Sequence, residues 1–210
     1  MSDPGRPERS PTAVPIGVTL VLPIKATVDA KSRLDLSAAG REIVMRSFVE
    51  HVVGVARASR HVARIAVVGS VDLVPDPVGV RHLPEPQLGG GLNAVVTTAR
   101  HWACLAAPDR PIAVLPVDLP RVTAAELDLA LRVAEGLERA FVPDADGTGT
   151  TLITARRPEL LISAYGPGSA AEHERLGLVR LDGAGAGLRH DVDTLDDLRS
   201  AAPALEALAG

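Results

Sequence analysis

The stretch PIAVLPVDLP, residues 111–120, is the most strand-like run of the chain, and it carries a single carboxylate, Asp118, near its end. A short, continuous apolar run is typical of a strand that is buried on both faces of a parallel sheet. An ionised side chain directly after such a run is costly unless it is solvated, paired or bound to a metal ion. The stretch therefore predicts a buried strand with a candidate functional residue at its carboxyl end. The alternative is that Asp118 only begins the turn into a helix at Thr123.

Strands and helices alternate on both sides of this run. The apolar patterns predict strands at 18–24, 64–69, 79–83, 111–120, 139–144, 150–155 and 178–181, and helices at 41–58, 92–106, 123–138 and 169–177 and from residue 195. Strands separated by helices predict a mainly parallel sheet that is covered by helices on both faces. The predicted fold class is therefore α/β, with three α/β/α layers.

The composition limits the classes of function that are open to the chain. Its 210 residues and 46% hydrophobic content predict one domain over 17–210, preceded by a disordered, Pro- and Arg-rich tail at 1–16. Only 2% of the residues are aromatic and the net charge is −4, so the composition disfavours nucleic-acid binding. Cys104 is the single cysteine, which excludes an intrachain disulfide. No apolar run reaches the roughly 18 residues that a membrane span needs, and we expect a cytoplasmic protein.

A second acidic segment, GLRHDVDT at residues 187–194, places Asp191 and Asp193 on a predicted strand end. Adjacent carboxylates repel, and a helix cap accounts for one of them at most. Because ligands bind at the carboxyl ends of the strands in such sheets, Asp118, Asp191 and Asp193 are predicted to converge on a site for Mg²⁺ or Mn²⁺. Alternation along the predicted strand points His190 to the opposite face, which favours a packing or surface role.

A basic segment follows the first strand. Lys25, Lys31 and Arg33 lie within nine residues, and at the carboxyl end of that strand they would face the predicted metal site and hold a triphosphate. The alternative for each cation is a solvated side chain without a ligand. No G-x-x-x-x-G-K-[ST] loop occurs, and no G-x-G-x-x-G follows the first strand, which disfavours a phosphate-loop NTPase and a dinucleotide-binding dehydrogenase.

Six motifs together resemble the guanylyltransferases of deazaflavin coenzyme (F-420) biosynthesis: VLPIKATVDAKSRL, GGGLNAVVTTA, VLPVDLP, DGTGTTLI, YGPGSAAEH and GLRHDVDT. The resemblance spans about residues 17–200. It implies a nucleotide-diphospho-sugar-transferase-like (Rossmann-like) fold, Mg²⁺ or Mn²⁺ as cofactor, and transfer of GMP from GTP to a small phosphorylated carboxylic acid. Similarity to the actinobacterial branch of the family favours phosphoenolpyruvate as that acid. The alternative acceptors are 2-phospho-L-lactate and 3-phosphoglycerate.

The resemblance also assigns roles to residues. It implies a metal site of Asp118, Asp191 and Asp193, an acceptor site of Thr150, Gly166 and Ser169, and a nucleoside site of Gly91, Leu92 and Asn93. The mechanism that follows gives catalytic roles to Asp118 and to Lys25, Lys31 and Arg33, whose charges would hold the β- and γ-phosphates and help pyrophosphate leave. Ser169 is in addition the predicted N-cap of the following helix, where free backbone N–H groups bind anions. The alternatives are an ordinary cap at Ser169 and a flexible loop before Asn93.

The expected partners are GTP and a small phosphorylated carboxylic acid, with neither nucleic acid nor membrane. A homodimer and a hand-over of the product to the next enzyme of the pathway are further expectations. Two rival classes stay open. A sugar-phosphate or molybdopterin-type nucleotidyltransferase usually carries a Gly-rich, Arg-containing loop after the first strand, which this chain lacks. A non-catalytic nucleotide-binding subunit is expected to have lost the carboxylates or the cations, and both sets are present here.

Overall fold

The computed structural model describes residues 17–24, 37–86, 91–192, 194 and 196–201. Several predictions concern residues outside these ranges, namely the tail at 1–16, the cations Lys25, Lys31 and Arg33, and the carboxylate Asp193. None of the described helices is long and apolar enough to cross a membrane.

The elements follow the predicted alternation. In chain order they are β1 (Val18–Ile24), α1 (Ala38–Ala58), β2 (Val62–Gly69), β3 (Val80–Leu83), α2 (Gly91–Ala106), β4 (Ile112–Val114), α3 (Ala124–Ala134), β5 (Arg139–Pro143), β6 (Thr150–Ala155), α4 (Ser169–Arg175), β7 (Val179–Arg180) and α5 (Ala186–Arg189). Residues 196–201 are helical as well.

The described strands form one seven-stranded sheet in the order β3-β2-β1-β4-β6-β5-β7. β6 runs antiparallel to both of its neighbours, whereas the pairs β1–β2, β2–β3, β1–β4 and β5–β7 are parallel. This arrangement confirms the mainly parallel sheet. The order reverses direction between β1 and β4, and ligands of open α/β sheets bind at such switch points, beyond the carboxyl ends of the strands.

Both faces of the sheet are buried under helices. Because side chains alternate along β1, Leu20 and Leu22 pack with α1 and α3 on one face, and Val21 packs with α2 and α4 on the other. Phe48 of α1 and Phe141 of β5 are fully buried, one on each face. The predicted three-layer α/β/α architecture is therefore confirmed.

The central strand β4 is much shorter than predicted. The N–H of Leu115 still donates to the carbonyl oxygen of Val21 over 3.0 Å, but Pro116 has no N–H with which to continue the ladder. Leu115, Val117 and Leu119 nevertheless stay buried, so the chain passes on through the core in an irregular conformation. The strand prediction for 111–120 is wrong in its second half, where the apolar character reflects burial rather than pairing.

The segment before Asp191 is a helical turn and not the predicted strand. Residues 186–189 form α5, and the Gly187 N–H donates to Oε1 of Glu126 over 2.9 Å, a long-range contact that no local pattern indicates. The alternation argument for His190 therefore does not apply. His190 is nonetheless exposed, and its Nδ1 contacts the carbonyl oxygen of Ala186 over 2.8 Å, so the surface role is confirmed.

Two capping boxes mark helix starts. The Thr123 hydroxyl accepts from the Glu126 N–H over 3.2 Å, and the Glu126 carboxylate accepts from the Thr123 N–H over 2.9 Å. Thr194 and Asp197 form the same pair of bonds, over 3.2 and 2.8 Å, at the start of the last described helical segment. Each box pairs backbone donors that have no partner within the helix.

Candidate active site

Two carboxylate-bearing segments meet beyond the carboxyl ends of the central strands. The backbone N–H of Val192 donates to the carbonyl oxygen of Asp118 over 3.0 Å, which places Asp191 beside Asp118 although 72 residues separate them in sequence. Both aspartates are half-buried. Carboxylate oxygens are the ligands that Mg²⁺ and Mn²⁺ prefer, so the chemistry of this pair fits a divalent cation. Within the described part of the chain, no group of three His, Cys, Asp or Glu side chains is close enough to hold a metal ion, and Asp193 lies outside that part.

The Tyr165 hydroxyl is a second observation that points to a ligand beside Asp118. This oxygen is buried and finds no hydrogen-bond partner within the described residues. Burial and, secondarily, the negative charge of Asp118 raise the pKa of the Tyr165 phenol, which therefore stays protonated and is a donor. A buried donor without an acceptor costs free energy. An oxygen-rich ligand bound next to Asp118 would supply the missing acceptor.

Glu126 fixes the segment that leads to Asp191. Its Oε2 accepts from the N–H and the hydroxyl of Thr123, both over 2.9 Å, and its Oε1 accepts from the Gly187 N–H over 2.9 Å. One carboxylate therefore joins the start of α3, which follows Asp118, to α5, which precedes Asp191. The capping motif at Thr123 gives no sign of this second bond, because Gly187 lies 61 residues away in sequence.

The turn between β5 and β6 forms one wall of the site. Asp144 holds this turn, because its Oδ1 accepts from the Thr148 N–H over 2.9 Å and its Oδ2 from the Gly149 N–H over 2.7 Å. A Cβ atom on Gly149 would collide with the Asp144 carboxylate, so any larger residue there would have to displace that carboxylate. Behind the turn, Nη2 of Arg189 donates to the Asp144 carbonyl oxygen over 2.8 Å.

Thr150, which follows this turn, lies in a short chain of polar contacts with α4. The Ser169 hydroxyl is 3.2 Å from Oγ1 of Thr150, and Nδ1 of His173 is 2.9 Å from the same oxygen. Gly166 is close by, since its carbonyl oxygen accepts from the Ser169 N–H over 3.1 Å. The structure thus brings together the three residues predicted to bind the acceptor. His173 was not predicted, although its position four residues after Ser169 on a helix places both on one face.

Ser169 is not the N-cap of α4. That position belongs to Gly168, whose φ of 72° is in the left-handed region that favours glycine. The Ser169 N–H is bonded to Gly166, and the Ala170 N–H donates to the carbonyl oxygen of Thr148 over 3.0 Å. The prediction of an anion site made of free N–H groups is therefore wrong for the N–H groups of Ser169 and Ala170, because both already donate to backbone carbonyl oxygens. Ser169 instead offers its hydroxyl.

Asn93 connects the start of α2 to the loop at 163–165. Its Nδ2 donates to the Tyr165 carbonyl oxygen over 2.9 Å, and its Oδ1 accepts from the Tyr165 N–H over 2.8 Å and from the Ser163 hydroxyl over 2.9 Å. The predicted contacts of Gly91, Leu92 and Asn93 with a nucleoside stay a prediction. No local sequence signal marks residues 163–165 as the partner of Asn93, because the pairing spans 72 residues.

Solved nucleotidyltransferases share this fold. A protein of Desulfovibrio desulfuricans G20 that is assigned as a nucleotide-diphospho-sugar transferase has a TM-score of 0.59 and 16% identity, over 90% of this chain and 97% of that one. A 4-diphosphocytidyl-2C-methyl-D-erythritol synthase has a TM-score of 0.58 and 15% identity, over 90% and 98%. The manganese complex of the Rv0371C protein of Mycobacterium tuberculosis H37Rv has a TM-score of 0.50 and 19% identity, over 89% and 98%. The fold is therefore that of a nucleotidyltransferase-like α/β protein.

Sequence relatives narrow this class to one family. A phosphoenolpyruvate guanylyltransferase of Streptomyces scabiei (strain 87.22) is 42% identical over 195 residues, covering 87% of this chain and 89% of the relative. Another, from Sanguibacter keddieii, is 40% identical over 227 residues, covering 88% and 79%. The chain belongs to the phosphoenolpyruvate guanylyltransferase family, as the six motifs predicted. No protein-family model matches it.

Proposed function

We propose that this protein transfers GMP from GTP to phosphoenolpyruvate, with release of pyrophosphate, as a step in the biosynthesis of coenzyme F-420. The observation that carries the proposal is the hydrogen bond from Val192 to Asp118, which unites the two carboxylate segments. The Tyr165 phenol, whose pKa is raised by burial and secondarily by the charge of Asp118, links this pair to the hydroxyl-lined wall at Thr150. The names of the 40–42% identical relatives support the choice of substrates.

The reaction forms one P–O bond and breaks another. An oxygen of the acceptor phosphate attacks the α-phosphorus of GTP in line, and the bond from that phosphorus to the pyrophosphate oxygen breaks with its electron pair. The product contains a new phosphoanhydride between GMP and the acceptor phosphate. No general base is needed, because the acceptor phosphate is already an anion at neutral pH. The protein contributes positioning and electrostatic stabilisation.

Asp118, Asp191 and Asp193 are the residues that would hold a divalent cation in this proposal. A bound Mg²⁺ or Mn²⁺ supplies neutralisation of the negative charge on the reacting phosphates. The carboxylate pair and the manganese-bound fold neighbour support this assignment. Glu126 would keep Asp191 in register with Asp118 through its bonds to Thr123 and Gly187.

The remaining predicted residues divide between the two substrates. We assign Gly91, Leu92 and the backbone at Asn93 to the nucleoside, Lys25, Lys31 and Arg33 to the β- and γ-phosphates, and Thr150, Gly166 and Ser169 to the anionic groups of the acceptor. A cytoplasmic location, a homodimer and a hand-over of the product to the next enzyme complete the proposal.

A direct test is to incubate the purified protein with GTP and Mg²⁺ and with each of three acids in turn, namely phosphoenolpyruvate, 2-phospho-L-lactate and 3-phosphoglycerate. Mass spectrometry of the guanylylated product and a pyrophosphate assay report turnover. We expect pyrophosphate only when an acceptor is present, and the highest efficiency with phosphoenolpyruvate. Tenfold higher efficiency with another acid would change the acceptor, and no turnover with any acid would reject the guanylyltransferase activity.

A further inference from the structure

His173 is a buried histidine to which the proposed chemistry gives no role. Its side chain is 0% exposed, and its ring lies against Phe141 and Tyr165, with ring centroids 5.6 and 5.4 Å apart. We propose that His173 is a positioning residue that makes the hydroxyl pair of Thr150 and Ser169 a hydrogen-bond donor toward the anionic group of the acceptor. The inference rests on the proposed function, because it specifies how the acceptor site of that reaction is polarised.

The backbone fixes the tautomer of His173. The Ala164 N–H is only a donor, and it lies 2.9 Å from Nε2 of His173. Nε2 must therefore present a lone pair, which leaves the ring hydrogen on Nδ1. Burial, opposed by the nearby charge of Glu172, lowers the pKa of His173 to about 4, so the ring is neutral at neutral pH.

With its hydrogen on Nδ1, His173 donates to Oγ1 of Thr150 over 2.9 Å. The two hydroxyls of Thr150 and Ser169 are 3.2 Å apart and carry two hydrogens between them. The Ser169 hydroxyl uses one of them to donate to Oγ1 of Thr150, so the other is the hydrogen of the Thr150 hydroxyl. The other cannot return to His173, and the described part of the chain offers it no acceptor. It is therefore available to a ligand.

The opposite tautomer would reverse this polarity. If Nδ1 carried a lone pair, the Thr150 hydroxyl would donate to His173, and the pair would turn oxygen lone pairs toward the site. Oxygen lone pairs repel a phosphate or carboxylate, whereas a hydroxyl hydrogen donates to it a charge-assisted bond. The Ala164 N–H thus selects anion binding by way of His173. Since Ser169 is 2% exposed and Thr150 only half-buried, Thr150 is the member of the pair that a ligand reaches.

Asparagine and glutamine separate this role from a structural one. In His173→Asn, the amide nitrogen can take the place of Nδ1 and donate to Thr150, while the acceptor for the Ala164 N–H is lost. In His173→Gln, the amide oxygen can take the place of Nε2 and accept from Ala164, while the donor to Thr150 is lost. The two variants therefore each remove one of the two bonds.

The test is titration calorimetry of phosphoenolpyruvate in the presence of Mg²⁺, together with steady-state kinetics for both substrates. We expect His173→Gln to weaken acceptor binding and to raise its KM by about tenfold or more, with the KM for GTP unchanged, and His173→Asn to stay within about threefold of the wild type. Equal losses of acceptor affinity in both variants, or a larger loss in His173→Asn, would overturn the proposal. His173 would then only hold α4 and the loop at 163–165 together.

A double-mutant cycle with Thr150→Val provides a second measurement. Once the Thr150 hydroxyl is gone, His173→Gln should cause no further loss of acceptor affinity, and additive losses would overturn the proposal. If the wild-type enzyme turns over the acceptor but the losses in the cycle are additive, only the role of His173 is rejected, and the proposed function stands. Failure of the wild type to bind any of the three acids would reject both this inference and the proposed function.

Discussion

The N–H of Val192 donates to the carbonyl oxygen of Asp118 over 3.0 Å, a contact between two segments that the sequence keeps far apart. It follows a helical turn that Glu126 anchors, and it precedes the carboxylate of Asp193 in the chain. The contact brings the backbone of Asp191 beside that of Asp118, and carboxylates held close together cost stability unless a cation is bound. This cost is the reason to expect a functional and not a structural cluster.

Replacement of Asp118 or Asp191 by Ala should lower GMP transfer by more than about a hundredfold, because charge on the reacting phosphates is then neutralised less well. The fold should persist, since loss of one carboxylate also relieves repulsion. A pyrophosphate assay beside circular dichroism and thermal melts measures both effects. Asp109→Ala is the matched control, because Asp109 is exposed in the turn before β4, at the other end of that strand. Full activity in both site variants would remove the metal site.

Asn93→Ala should raise the KM for the acceptor more than the KM for GTP. The side chain makes three hydrogen bonds to Ser163 and Tyr165, whose loop adjoins the acceptor wall, and their loss should also cost about 2 kcal/mol of stability. Steady-state kinetics with each substrate varied in turn, and urea denaturation, measure the two effects. A defect confined to GTP would instead support direct nucleoside contact by the Asn93 side chain.

Gly149→Ala should destabilise the turn between β5 and β6 and weaken acceptor binding. The new Cβ collides with the Asp144 carboxylate, which would have to release the N–H groups of Thr148 and Gly149, at a cost of about 2 kcal/mol. Gly183→Ala is the matched control, since a Cβ there meets no atom within 4 Å. Denaturant melts and acceptor titrations compare the two variants, and equal behaviour would show that the turn adapts.

The basic segment can be tested through kinetics. Lys31→Ala or Arg33→Ala should raise the KM for GTP by about tenfold and leave that for the acceptor nearly unchanged, because both charges are assigned to the leaving phosphates. The two KM values, each measured at saturating partner substrate, decide the matter. A defect seen only with the acceptor would show that the two halves of the site are exchanged.

Most of the fold was predictable because its signals are local. Apolar strands such as β1 are buried on both faces, and capping boxes such as that of Thr123 and Glu126 mark helix starts within a few residues. The errors arose where distant contacts decide the structure. Residues 186–189 turn into a helix against Glu126, which the apolar pattern around Leu188 does not encode.

The same distinction applies to the site. Thr150 and Ser169 were predicted from their motifs, and the structure places them 3.2 Å apart. His173 was not predicted as a site residue, because its role depends on its tautomer. The tautomer is set by the Ala164 N–H, which lies next to His173 only because of how the loop at 163–165 folds. The cap at Ser169 was wrong because Gly168 adopts a left-handed conformation, and nothing in the sequence distinguishes that from a serine cap.

The buried state of His173 predicts a particular dependence of stability on pH. Its pKa falls from the ordinary 6.5 to about 4 in the folded protein, because burial disfavours the charged ring more than the charge of Glu172 favours it. Between these two pKa values, His173 is therefore protonated in the unfolded chain but neutral in the folded protein. The contribution of this histidine to the free energy of unfolding is complete above the unfolded pKa and declines as the pH falls from about 6.5 toward 4.

When the pH is lowered from about 7.5 to 5, the titration of His173 should reduce the free energy of unfolding of the wild type by roughly 2 kcal/mol. The His173→Asn variant has no titratable group at this position, so its stability should fall by that much less. The contributions of all other groups are common to both proteins and cancel when the two decreases in stability are subtracted. Urea denaturation at the two pH values measures it. Because a protonated ring can no longer accept from Ala164, the loop at 163–165 should open as the pH falls toward 4, with a lower protection factor for the Ala164 amide of the wild type than at neutral pH. Parallel stability curves for the two proteins would show that His173 keeps an ordinary pKa and is not sealed from solvent.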